Sequence, residues 1–151
     1  MEETKARLPM TEVFLDSSYA IALSAPSDQY HARAVALADR VEENGWRLVV
    51  TWAVLLELGN ALAKLRYRQS AIALLDAIGG DPNVVVVPLS EHLCAAALTL
   101  FRERPDKEWG LTDCLSFVVM TERGISDALT ADDHFRQAGF RALLFEPAAN
   151  A

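Results

Sequence analysis

Residues 13 to 23 read VFLDSSYAIAL. Three apolar residues run into an aspartate and two serines, and a second apolar segment follows directly. The first part has the character of a short buried strand over 12–16, ending at Asp16. Aspartate is almost never fully buried unless something pairs with it. A carboxylate at the end of a core strand therefore raises a question that one residue cannot answer: do other acids arrive at the same place?

The remaining chain supplies strands and helices in alternation. The segment SDQYHARAVALADRVEENG (27–45) carries a helical stripe of Tyr30, Ala34, Leu37, Ala38 and Val41, with Ser27 as the expected N-cap and Gly45 as the terminator. RLVVT (47–51) predicts a second strand. A helix is expected from Trp52 to about Tyr67, and another from Ser70 to Ile78 that stops at Gly79-Gly80. Val84 to Val87 reads as a strand buried on both faces and ended by Pro88. Helices follow over Glu91–Arg104 and over Asp113–Arg123, the latter capped by Thr112 and closed by Gly124. Short strands over 127–131 and 141–146 flank a helical turn in DDHFRQAG. Five strands alternating with helices predict a three-layer α/β/α domain around a central, mostly parallel five-stranded sheet. The whole of 1–151 is expected to be one domain, with a polar leader over 1–11 and a tail over 147–151.

Composition bounds the function. A hydrophobic share of 52% with 23% charged residues fits a globular protein rather than a disordered one. The polar N-terminus lacks the apolar core of a secretory signal, and no apolar run approaches the roughly 20 residues of a membrane span. A cytoplasmic protein without membrane attachment is expected. Cys94 and Cys114 lack CxxC or Cys/His spacing, so both are expected as free thiols, with no zinc site. The net charge of −7 argues against a broad nucleic-acid-binding surface but leaves room for a small acidic site that recruits cations.

In parallel α/β sheets, sites form at the carboxyl ends of the strands near the topological switch point. Asp16 ends the first strand, and Asp132 follows the strand ALTA. Asp113 opens a helix, and Glu57 lies in the second turn of the helix that leaves the second strand. All four acids thus converge on one rim. Each has a structural alternative: Asp16, Asp132 or Asp133 as helix caps, Asp113 as a complement to a helix dipole. Four crowded carboxylates repel one another unless a cation compensates them. Hard oxygen ligands select Mg²⁺ or Mn²⁺, and the matching chemistry is phosphoryl transfer. Glycine-rich phosphate loops and Ser-His-Asp or Cys-His arrangements are absent from the sequence.

The segments VFLDSSYAIAL, VVTWAVLLELGNAL, GLTDCLSFVVM and ALTADDHFRQAGF resemble, in order, the four acidic motifs of PIN-domain nucleases, and most of all the VapC-type toxins of bacterial toxin–antitoxin pairs. The resemblance covers about residues 12 to 146, and the closing Thr-x-Asp-x-His-Phe is its most specific part. It implies an endonuclease of single-stranded RNA dependent on Mg²⁺ or Mn²⁺, usually a homodimer, restrained by a small antitoxin protein. It carries the family's acids to Asp16, Glu57, Asp113 and Asp132, the hydroxyl after the first acid to Ser17, and the threonine before the last acid to Thr130. Asp16 and Asp113 are expected as the foremost metal ligands, with Glu57 and Asp132 completing the site. The motif's spacing favours Asp132 over Asp133 as the acid that faces the metal. Two other readings are open: a PIN protein of RNA processing outside any toxin pair, and a catalytically idle PIN fold that serves as a binding module.

Further residues carry weaker signals. Positions 57, 60, 64 and 68 form one stripe if their helix is continuous, which would place Lys64 and Arg68 as RNA-phosphate contacts or as ordinary solvated charges. Ser116 stands one turn after Asp113, where it either orients that acid or is a surface serine. His134 is expected to be structural, bonding to backbone near the site. His31 and His92 are expected on helix surfaces. Trp52 is expected to pack in the core, and Trp109 is the better candidate for stacking on a base.

Overall fold

The computed structural model describes residues 10–147, so most of the expected leader and tail lies outside the described residues. The strands are β1 (Glu12–Leu15), β2 (Arg47–Thr51), β3 (Val84–Val87), β4 (Asp127–Leu129) and β5 (Arg141–Ala142). The helices are α1 (Ser17–Ser24), α2 (His31–Asn44), α3 (Trp52–Ala61), α4 (Leu65–Gly80), α5 (Glu91–Glu103), α6 (Leu111–Arg123) and α7 (Asp133–Gln137). The strands lie side by side in the order β3-β2-β1-β4-β5, and every neighbouring pair is parallel. With helices joining them, this is the expected three-layer α/β/α architecture.

β1 lies at the centre of the sheet. Val13 and Phe14 are completely buried, as are Val49 and Val50 of β2 and Ala128 and Leu129 of β4. A strand buried on both faces shows no alternation, which is why these segments read as unbroken apolar runs. The chain runs outward from β1 through β2 to β3, then returns to the other side of β1 for β4. The switch point is therefore the β1/β4 boundary, where Asp16 and Thr130 emerge. Gly45 and Gly124 close α2 and α6 with φ of 62° and 68°, a left-handed conformation that favours glycine.

Several expected boundaries move. β3 is an edge strand and only partly buried, so its four valines do not mark a doubly covered strand. α2 begins at His31 rather than after Ser27, and Asp28 Oδ1 instead accepts from the Tyr30 N–H. The expected helix over Trp52–Tyr67 breaks between Ala61 and Leu65, and α4 then runs through Gly79-Gly80. Gly110 is the N-cap of α6, with Thr112 already inside the helix. Residues 141–146 pair in the sheet only at Arg141 and Ala142, then tighten into a 3-10 turn at Leu143–Phe145.

Candidate active site

Asp16 follows β1 directly and is buried, with 6% of its surface exposed. Although it occupies the N-cap position of α1, its side chain makes no capping hydrogen bond. Its Oδ2 instead accepts from the Thr130 hydroxyl at 2.7 Å and from the Ser18 hydroxyl at 2.9 Å. Thr130, completely buried, also accepts the Asp132 N–H at 3.0 Å, and Ser18 accepts the Ala131 N–H at 3.0 Å. Two hydroxyls thus tie the end of β1 to the segment that leaves β4. Burial pushes the Asp16 carboxyl up to about 6, against the opposing pull of the Thr130 and Ser18 bonds, and the nearby Glu57 charge adds to the rise.

Glu57 joins from α3. Ser17 donates to its Oε1 at 2.6 Å, so the serine after the first acid holds the second. Thr51 caps α3 by accepting from the Val54 N–H at 3.2 Å, which fixes where that helix begins. Glu57 is itself exposed.

The other two acids form a tighter group. Asp113, the third residue of α6, accepts on Oδ2 from the Gly110 N–H at 3.0 Å and faces the His134 Nδ1 at 3.0 Å. Asp132, the N-cap of α7, accepts the His134 N–H on Oδ1 at 2.9 Å. Ligand atoms of Asp113, Asp132 and His134 all lie within 4.8 Å of one another; Asp16 and Glu57 stand outside that group of three. The structural alternatives thus hold in part: Asp132 uses one oxygen to cap α7, and Asp113 lies in the first turn of α6, where one oxygen accepts the Gly110 N–H. In Asp16 and Asp113 two bonds gather on a single carboxylate oxygen, and Glu57 and Asp132 each accept one on a single oxygen.

Among the described residues, none of the four acids pairs with a lysine or arginine. Asp133 differs: it points outward to Arg136 Nη2 at 2.7 Å, so Asp132 is the member of the adjacent pair that joins the cluster. Clustered carboxylates without basic partners fit a hard divalent cation such as Mg²⁺ or Mn²⁺.

Other sequence expectations are redistributed. Ser116 is buried rather than on the surface, and its hydroxyl donates to the Thr112 carbonyl at 3.0 Å. His134 bonds to a carboxylate side chain as well as through its own backbone. The two tryptophans exchange roles. Trp109 is buried edge-on against Phe117 and donates to Gln137 Oε1 at 3.1 Å, whereas Trp52 is 50% exposed. Lys64 is the N-cap of α4, and the Arg68 guanidinium turns back to the Ala63 carbonyl, so residues 57, 60, 64 and 68 do not share one helical stripe. His31 and His92 are engaged elsewhere, with the Ala22 carbonyl and Glu122. Ser18 is the site residue that the sequence did not single out. Its only signal is its place two residues after the strand-ending acid.

Comparison with known proteins bears on this arrangement. No curated protein matches the sequence. Among solved structures, the chain is similar to VapC20 of Mycobacterium tuberculosis, described as a sarcin–ricin loop cleaving toxin. Identity there is 26%, with 85% of this chain and 95% of that one covered, and the TM-score is 0.74. It shares its fold with FitAcB of Neisseria gonorrhoeae, at 18% identity, 86% and 95% coverage and a TM-score of 0.63. It shares it also with VapBC2 of Rickettsia felis, solved with a DNA fragment from its promoter, at 13% identity, 87% and 96% coverage and a TM-score of 0.64. The PIN domain profile matches residues 13–141. That match runs from the first strand to the last, and the chain belongs to the PIN-domain family.

Proposed function

We propose that this protein is a divalent-metal-dependent endoribonuclease that hydrolyses phosphodiester bonds in RNA, and that it is the toxin of a toxin–antitoxin pair acting in the cytoplasm. The observation that carries this reading is the gathering of four acids, distant in sequence and without basic partners, at the carboxyl edge of a parallel sheet. The likeness to VapC20 supports the toxin assignment.

Asp113 and Asp132 would hold the cation, with Asp16 and Glu57 completing the site. A Mg²⁺ or Mn²⁺ ion bound there supplies positive charge for the scissile phosphate and acidity for an attacking water. The protein's part is orientation. Thr130 and Ser18 fix Asp16, Ser17 fixes Glu57, and the Gly110 N–H fixes Asp113. Burial of Asp16 opposes its charge, so the apoprotein holds a carboxylate that is relieved by a cation.

The partners in this reading are an RNA substrate, a small antitoxin protein and a second copy of the chain. Trp52, Leu56 and Leu65 are exposed apolar side chains of α3 and the start of α4, a surface that suits a protein partner.

The test is cleavage of a mixed RNA pool, together with a sarcin–ricin loop oligonucleotide, by purified protein. Cutting is expected with Mg²⁺ or Mn²⁺, and it should vanish with EDTA and in Asp16→Asn. Metal-independent cutting, or full activity in Asp16→Asn, would refute the proposal.

A further inference from the structure

We infer that His134 is a positioning residue that fixes Asp113 and Asp132 relative to each other and thereby shapes the cation site; the inference rests on the nuclease reading above. The two acids belong to different elements, the first turn of α6 and the N-cap of α7. His134 holds both. Its backbone N–H donates to Asp132 Oδ1 at 2.9 Å, and its ring Nδ1 lies 3.0 Å from Asp113 Oδ2.

The ring bond has a direction. An ionised carboxylate oxygen only accepts, so Nδ1 carries the proton. A protonated Nδ1 has no lone pair to offer a metal, although His134 is one of the three grouped residues. Its effect is instead on Asp113. Oδ2 takes both the ring and the Gly110 N–H, which leaves Oδ1 as the oxygen free to bind.

The ring's own placement is secured from below. α7 has five residues, too few to be stable alone. Phe135 beside His134 is completely buried against Phe14 and Phe117. Gln137 is tied to the indole of Trp109, and the Phe140 N–H closes the turn on the Phe135 carbonyl. The histidine therefore transmits the position of a packed core element to a carboxylate on the next helix.

Substitution separates ring from backbone, because every variant keeps the N–H that caps Asp132. Asparagine places an amide N–H near the position of Nδ1–H, whereas glutamine places one near Nε2. Mn²⁺ titration of the full chain by calorimetry, with melting curves alongside, should show His134→Asn close to wild type. His134→Ala and His134→Gln should bind about 10- to 100-fold more weakly while remaining folded. Nitrogen-15 spectra of the metal-free wild type should show the proton on Nδ1. Wild-type affinity in His134→Ala, or a proton on Nε2, overturns the inference alone. Equal loss in all three variants also overturns it, by making the ring a direct ligand. A wild type that binds no Mn²⁺ would remove the nuclease reading and the inference together.

Discussion

Burial and hydrogen bonding pull the Asp16 carboxyl in opposite directions, and the result is measurable. Burial, the largest cause, pushes it up to about 6 in the folded chain from 3.8 for the ordinary residue. Between those values the folded protein holds a proton that the unfolded chain lacks. Stability of the metal-free protein should therefore fall as pH rises from about 4 to about 6, by on the order of 3 kcal/mol. Urea midpoints measured in EDTA across that range should show the decline, and Asp16→Asn should flatten it. A wild-type profile as flat as the mutant's would mean the carboxyl is not perturbed. At this scale the acids were legible in the sequence, because a carboxylate that interrupts a core segment conflicts with its surroundings. Ser18 was not, since a serine in a first helical turn conflicts with nothing. The tryptophans were misread for a related reason. The polar segment before α6 hides the contact with Phe117 that buries Trp109, while Trp52 starts a largely apolar helix yet faces outward.

The helical hairpin of α3 and α4 shows what apolar periodicity conceals. Leu58, Leu62 and Leu65 continue one pattern, and neither glycine nor proline stands between Ala61 and Leu65. The chain nevertheless turns there, with Lys64 extended at φ −62° and ψ 148°. Two bonds from Arg68 to the Ala63 carbonyl, at 3.1 and 2.7 Å, stabilise the corner. Such a bond from five residues downstream leaves no mark in the hydrophobic pattern. The first three strands were easier to place, because short unbroken apolar runs such as VFL, LVV and VVVV have few other uses. The break moves Lys64 and Arg68 off the Glu57 helix but leaves both exposed. If they touch RNA phosphates, Lys64→Ala should weaken binding and reduce the slope of log affinity against log salt by about 0.7 for a lost contact. Arg68→Ala should do the same while lowering stability by about 1 kcal/mol or less. Unchanged affinity and slope in both variants would assign them to solvent alone.

Across the whole molecule the sheet order explains why Asp16, Glu57 and Asp132 emerge at one edge. β1 is flanked by β2 and β4, so the acids that follow β1 and β4 emerge side by side, and α3 brings Glu57 from the neighbouring strand. Alternating strands and helices made the architecture legible in the sequence. The tight grouping of Asp113, Asp132 and His134 was not, because it depends on how α6 and α7 pack. A cation that binds only the assembled site should stabilise the whole fold. Mn²⁺ at about 100 times its Kd should add about 2.7 kcal/mol, which for a chain of this size raises Tm by roughly 5 to 10 °C. EDTA should reverse the shift, and Asp113→Asn should abolish it; a mutant that responds like wild type would place the cation elsewhere. The sheet order also has a consequence in time. β4 is an interior strand beside the central β1 yet follows β1, β2 and β3 in the chain, and chains emerge N-terminus first. A nascent chain that has reached only Arg123 has β1, β2 and β3, an open edge on β1 where β4 belongs, and neither Thr130 nor Asp132. Assembly of the acidic centre is thus deferred until β4 and α7 have been synthesised, and a ribosome that stalls before them releases a fragment without it.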